Sequence, residues 1–276
     1  MPLDGSAESE AALPTAVGLA RGAGARLILF HATGGAVALV EPSRDALTYL
    51  AEVGDRVRAS GLDDVDTLLW RGLPSYAIVA AARQHGIDLL VMATHARGLR
   101  RLVLGSVAES VLRDATVPVA VIRAREPARG ESPIPEAEPL RRVLVAIDGS
   151  PASESILPFV ESLAHQFDLA VVLLQVVAKP RGRIEVEATP YLDALAARLR
   201  ANGVRVRAEA RIGDAAAAIA VAAREGGVDM IVMASPGQRG RRRPLSRSVV
   251  AAVLHAASVP IVFLKPARVS SMTLAE

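Results

Sequence analysis

Asp88-Leu-Leu-Val-Met-Ala-Thr-His-Ala-Arg-Gly-Leu-Arg-Arg-Leu-Val-Leu-Gly-Ser-Val107 reads as an apolar strand, a Gly/Arg-rich loop and the opening of an amphipathic helix. Val117-Pro-Val-Ala-Val-Ile122 follows as a second apolar strand. The pattern recurs as Asp229-Met-Ile-Val-Met-Ala-Ser-Pro-Gly237, then Ser246-Arg-Ser-Val-Val250, then Val259-Pro-Ile-Val-Phe-Leu264. A loop that leaves a buried strand and opens a helix can turn backbone N–H groups toward an anion.

Outward from this stretch the match continues. Asp4-Gly-Ser returns as Asp148-Gly-Ser, Gly72 as Gly213, Met92 as Met233 and Val117-Pro as Val259-Pro. Collinear matches over both halves mean a duplicated domain of ordinary size. The expected division is a first domain over 1–124, a linker over 125–139, a second domain over 140–266 and a tail over 267–276. The linker is rich in Pro and charge and reads as exposed and semi-extended.

In the second copy, Arg142–Asp148 is a buried strand ending in a turn. Ser150-Pro151 sets an N-cap and an N1 proline for a helix running to about Phe167. Ala170–Val177 is the next strand, and a helix from about Thr189 stops near Asn202-Gly203. Val204–Ala210 alternates as a strand, Gly213-Asp214 opens a helix over 215–225, and Asp229 begins the fourth strand. Near-continuous apolar strands separated by helices predict a parallel sheet covered on both faces. The first copy matches, with helices near 7–22, 43–59, 74–85 and 106–115. It lacks most of its first strand, because the chain opens at Met1-Pro-Leu-Asp4. That gap raises the expectation of an upstream strand resembling Arg142–Ala146.

The 276 residues are 51% hydrophobic and 22% charged, so a packed core is within reach. With no cysteine, disulfides and thiolate chemistry are excluded. No apolar run approaches the roughly 20 residues of a membrane span, and no export signal is visible; a cytoplasmic protein is expected. The net charge is +3, carried mostly by arginine, with Lys179 and Lys265 the only lysines. Aromatics at 3% argue against stacking platforms for nucleic acid.

Together the two Asp-Gly-Ser turns, Gly213-Asp214, the Asp-Leu-Leu-Val-Met strand and the Gly-Ser-Val-Ala-Glu-Ser-Val-Leu…Val-Pro-Val run resemble universal stress proteins, over both halves. The resemblance implies two tandem doubly wound five-stranded parallel sheets of order 3-2-1-4-5, here with the first copy short of its first strand. It also implies pairing through the last strands, hence an intramolecular pseudo-dimer, with a homodimer open.

Many members of that family bind ATP through Gly-x2-Gly-x9-Gly-Ser/Thr. In the first half Ala93-Thr-His-Ala96 stands in the Gly-x2-Gly place, eight residues follow, and Gly105-Ser106 matches. In the second, Ala234-Ser-Pro-Gly237 keeps the spacing, and the closing pair is Arg247-Ser248. By resemblance the nucleotide-binding positions are Asp4, Ala32, Met92, Ala93, Ala96, Gly105, Ser106 and Val107 in the first half. In the second they are Asp148, Val176, Met233, Ala234, Gly237, Arg247, Ser248 and Val249.

Each position has a plainer reading. Asp4 and Asp148 can cap the turn before the first helix, Ser106 and Ser248 can be N-caps, and Met92 and Met233 can be core. His31 and His95 have no nucleophile or metal partner in sequence and read as structural. Arg97, Arg100, Arg101 and Arg239–Arg243 lie in matching loops, where they either face phosphate or are solvated.

Three functions stand. The first is a non-catalytic stress-response module sensing adenine nucleotide, with ATP as ligand and Mg only alongside it. The second is a nucleotide-free dimerising or partner-binding scaffold. The third is a weak ATP hydrolase, against which no Walker lysine motif or acidic metal pair is evident.

Overall fold

The computed structural model describes residues 1–34, 44–94, 105–124, 134, 138–177, 188–235 and 249–266. The second half shows the complete unit. β6 (Arg142–Ile147), β7 (Ala170–Val177), β8 (Arg205–Ile212), β9 (Met230–Ala234) and β10 (Ile261–Leu264) form parallel ladders in the order β8-β7-β6-β9-β10. β6 is central, pairing with β7 on one side and β9 on the other, and its Val143, Leu144 and Val145 are fully buried. A strand covered on both faces has no use for polar alternation, which is why this stretch is continuously apolar.

The first half repeats these elements as β1 (Pro2–Leu3), β2 (Leu27–Thr33), β3 (Val65–Arg71), β4 (Leu90–Thr94) and β5 (Val119–Arg123). Two residues of β1 pair with Phe30 and His31 of β2, and no ladder joins β1 to β4. The expected five-plus-five arrangement is therefore laddered as three (β1-β2-β3) and seven strands. The seven arise because β5 runs antiparallel to β10, with Val121 opposite Ile261 and Val119 opposite Phe263. The Met1 amine is buried against Ile28, donating to its carbonyl at 2.6 Å, and burial lowers its pKa to about 5.

Helices cover both faces. On one lie α1 (Ala7–Glu10), α2 (Leu13–Ala23), α3 (Arg44–Ala59), α6 (Pro151–Glu154), α7 (Leu157–Phe167) and α8 (Ala188–Ala201). On the other lie α4 (Pro74–Gln84), α5 (Ser106–Asp114), α9 (Ala215–Glu225) and α10 (Val249–Ala256). The first helix of each copy, expected to be continuous, is broken after one turn. Pro14 and Pro158 sit in the opening turn of α2 and α7 and offer no N–H to a preceding carbonyl, so a new helix starts there. Ala12 and Ile156, at the break, are fully buried.

At Gly22 of α2 a Cβ would strike the Phe167 ring of α7, and Gln166 Nε2 donates to Ala23 O at 3.3 Å. The helices thus touch where a glycine permits it. Within the stretch expected to be an exposed linker, Ile134 is buried in the same core, so the connection carries an apolar anchor.

Candidate functional site

A doubly wound sheet places ligands at the carboxyl ends of its strands, where the crossovers change face. In the second half that point lies between β6 and β9. Ala146 pairs with Met233, so Asp148 and the Ala234-Ser235 exit of β9 end on neighbouring strands. Val176, half-buried near the end of β7, stands on the same face as Met233.

The Asp-Gly-Ser turns are built alike. Asp148 Oδ1 accepts from Ser150 N at 2.9 Å and Ser150 Oγ at 2.6 Å, and Ser150 Oγ accepts from Ser153 N at 3.1 Å to cap α6. In the first half Asp4 Oδ1 accepts from Ser6 N at 3.0 Å and from Ser6 Oγ, while Ser6 Oγ accepts from Ser9 N. Gly5 and Gly149 hold φ of 83° and 82°, the left-handed backbone that glycine tolerates. The helix caps are thus Ser6 and Ser150 rather than Asp4 and Asp148, which brace the turn by accepting from them. Burial works against the Asp148 carboxylate, but hydrogen bonds from Ser150, Ser153 and the backbone outweigh it and bring its pKa below the ordinary value.

The first half brings Ala32, Met92, Ala93, Gly105, Ser106 and Val107 to its strand ends. Met92 and Ala93 are buried and Ala32 is half-buried. The residue capping α5 is Gly105, and no side chain caps that helix. Ser106 is the first helical residue, so the N-cap reading of Ser106 gives way to an exposed hydroxyl beside the helix start. Among the described residues, a Cβ at Gly105 would meet nothing within 4 Å. Helix-start amides without an intrahelical acceptor and an exposed hydroxyl beside them are components of an anion cradle. Ala96, Gly237, Arg247, Ser248, His95 and the loop arginines lie outside the described residues; Val249 opens α10.

Neighbouring residues that sequence reasoning passed over brace the turns. Tyr191 Oη donates to Glu154 Oε1 at 2.8 Å, and burial, then Glu154, pushes that phenol's pKa up. In the first half the equivalent Glu10 is taken by Arg56, and burial, then Glu10, pushes the Tyr49 phenol's pKa up. His31 presents Nδ1 to Leu3 O at 3.0 Å and packs in an edge arrangement with the Tyr49 ring. Gln175 replaces it in the second half, crowding Gly149 with Nε2 while its Oε1 is buried and unpartnered. The recurrence of Glu10/Glu154 and Tyr49/Tyr191 in the repeat was the signal available for these residues.

A hollow of about 950 Å³ lies at the opposite end of the strands, lined by Leu19, Leu140, Phe167, Asp229 and Val259 among others, and is separate from these residues. Among the described residues no group of three His, Asp or Glu converges as a metal site. Nor, among them, is any helix long and apolar enough to cross a membrane.

These features define a tandem α/β protein of doubly wound type. The chain belongs to the universal stress protein family, whose model matches residues 1–123 and again 139–265. It is 36% identical over 135 residues to a universal stress protein of Thermus aquaticus, spanning 44% of this chain and 93% of that one. A universal stress protein of Mycobacterium tuberculosis is 31% identical over 191 residues, spanning 63% of this chain and 61% of its own length. The crystal structure of a universal stress protein from Archaeoglobus fulgidus superposes with a TM-score of 0.72, at 19% identity, covering 96% of this chain and 94% of that one. At that identity the superposition establishes the fold.

Proposed function

We propose that this universal stress protein acts by binding rather than by catalysis, and that it takes an adenine nucleotide at the first half's strand ends. The observation that carries this reading is the start of α5. Gly105 leaves it without a side-chain cap, a Cβ there would meet no described residue within 4 Å, and Ser106 stands exposed beside it. In this reading phosphate oxygens accept from the α5 amides and Ser106. Ala32 and Met92 supply the apolar wall, and Asp4 meets the sugar or base. Mg arrives with the triphosphate.

Calorimetric titration with ATP tests it. About one equivalent per chain is expected, weakened tenfold or more by Ser106→Ala together with Gly105→Val, on the order of the 1.4 kcal/mol per decade of affinity. Absence of heat at millimolar ATP sinks it. A second reading, a nucleotide-free scaffold whose halves pair as an intramolecular pseudo-dimer, is supported by the antiparallel β5–β10 ladder.

A further inference from the structure

The seam between the halves carries two hydrogen bonds that mirror one another. Arg123, the last residue of β5, donates from Nη1 to His255 O near the end of α10, at 2.6 Å. Lys265, the residue after β10, donates from Nζ to Arg113 O near the end of α5, at 2.8 Å. Each half's final strand thus places a cation on the C-terminal carbonyls of the other half's final helix. The antiparallel ladder explains the reach, because it sets the end of one strand beside the start of the other, where the partner's preceding helix stops.

We propose that Arg123 and Lys265 form a reciprocal clamp, and that through Lys265 the second half tunes the first half's ligand edge; this rests on the nucleotide reading above. A cation at a helix C-terminus and an anion at its N-terminus both favour the same macrodipole. They also satisfy the two sets of terminal groups that a helix leaves unpaired. α5 has nine residues and α10 eight, little more than two turns each, so fraying of the last turn is felt at the first. Nucleotide at Ser106 orders the opening of α5, while Lys265 from the second half holds its end. By linkage, nucleotide that favours the ordered helix also tightens the seam.

The effect should be crossed. In the full chain, Lys265→Gln is expected to weaken ATP at the first half about two- to fivefold, the affinity equivalent of a C-terminal charge on a helix. Arg123→Gln, although it lies in the first half, should leave that site within twofold. Thermal melts of both variants, compared with the parent, separate this from general loosening, which lowers both affinities together. Equal effects from the two substitutions, or none from Lys265→Gln, overturn the clamp. If the parent takes up no ATP, the nucleotide reading fails, and amide exchange then decides the clamp alone. Lys265→Gln must speed exchange throughout α5, including its first hydrogen-bonded amide at Glu109, more than in α10. Faster exchange confined to α10, or to the last turn of α5, overturns it.

Discussion

The two halves hold the same elements in the same order, yet they secure the outer edge of the sheet by different chemistry. In the second half Arg211 reaches from β8 to Glu225 at 2.7 Å and to Glu209 at 2.5 Å, an ion network along the flank of α9. In the first half the corresponding strand places Trp70 edge-on to His85 beyond α4. Asp214 caps α9 by accepting from Ala217 N, whereas Leu73 occupies the same place before α4, 61% exposed and capping nothing. The difference teaches that repeat symmetry is kept where burial demands it and is released at helix starts and sheet edges, where water tolerates several solutions.

The sharpest break in the comparison is at the central strand. Leu144 sits between two ladders with no room for its surroundings to collapse, and Leu144→Ala is expected to cost about 3–5 kcal/mol. Leu3, laddered on one side only in a two-residue strand, should cost about 2 kcal/mol when cut to Ala. Urea unfolding of both variants measures the gap, and equal losses would show that the missing ladder does not loosen the first half.

Helix caps come next. Leu73 (φ −62°, ψ 127°) and Asp214 (φ −71°, ψ 126°) share one backbone geometry, so an Asp at the first position is already placed to accept. Asp214→Ala should cost about 1 kcal/mol, and Leu73→Asp should gain about 0.5–1 kcal/mol. Opposite shifts in midpoint are the expected result, and a loss from Leu73→Asp would mean that the leucine is held by contacts outside this geometry.

The smallest effect is electrostatic. Because Asp148 has a folded pKa below its unfolded one, its contribution to stability is full above about pH 4 and is lost as pH falls through the folded value. Ser150→Ala removes one donor to that carboxylate and should raise its titration midpoint, followed by carboxyl-carbon NMR. An unmoved midpoint would assign the shift to Ser153 and the backbone donors.

Much of this was legible in the chain. Repeat and apolar runs gave the strands to within about two residues, and Ser150-Pro151 announced α6. The breaks before Pro14 and Pro158 were written in the sequence too, but each falls inside an uninterrupted apolar period, and periodicity hid it. Arg123 and Lys265 were not legible, since their partners lie 132 and 152 residues away and only the antiparallel ladder brings them close. The N-cap of α5 was placed one residue late, at Ser106, because the Gly105 before it takes that position without a side chain.

Pairing β5 with β10 inside one chain has a consequence for mass action. Two separate subunits joined by such a ladder part on dilution, with an affinity set against their concentration. Here the covalent connection, anchored at Ile134, fixes the effective concentration of one half for the other. The strength of the seam is therefore set by that connection rather than by how much protein is present.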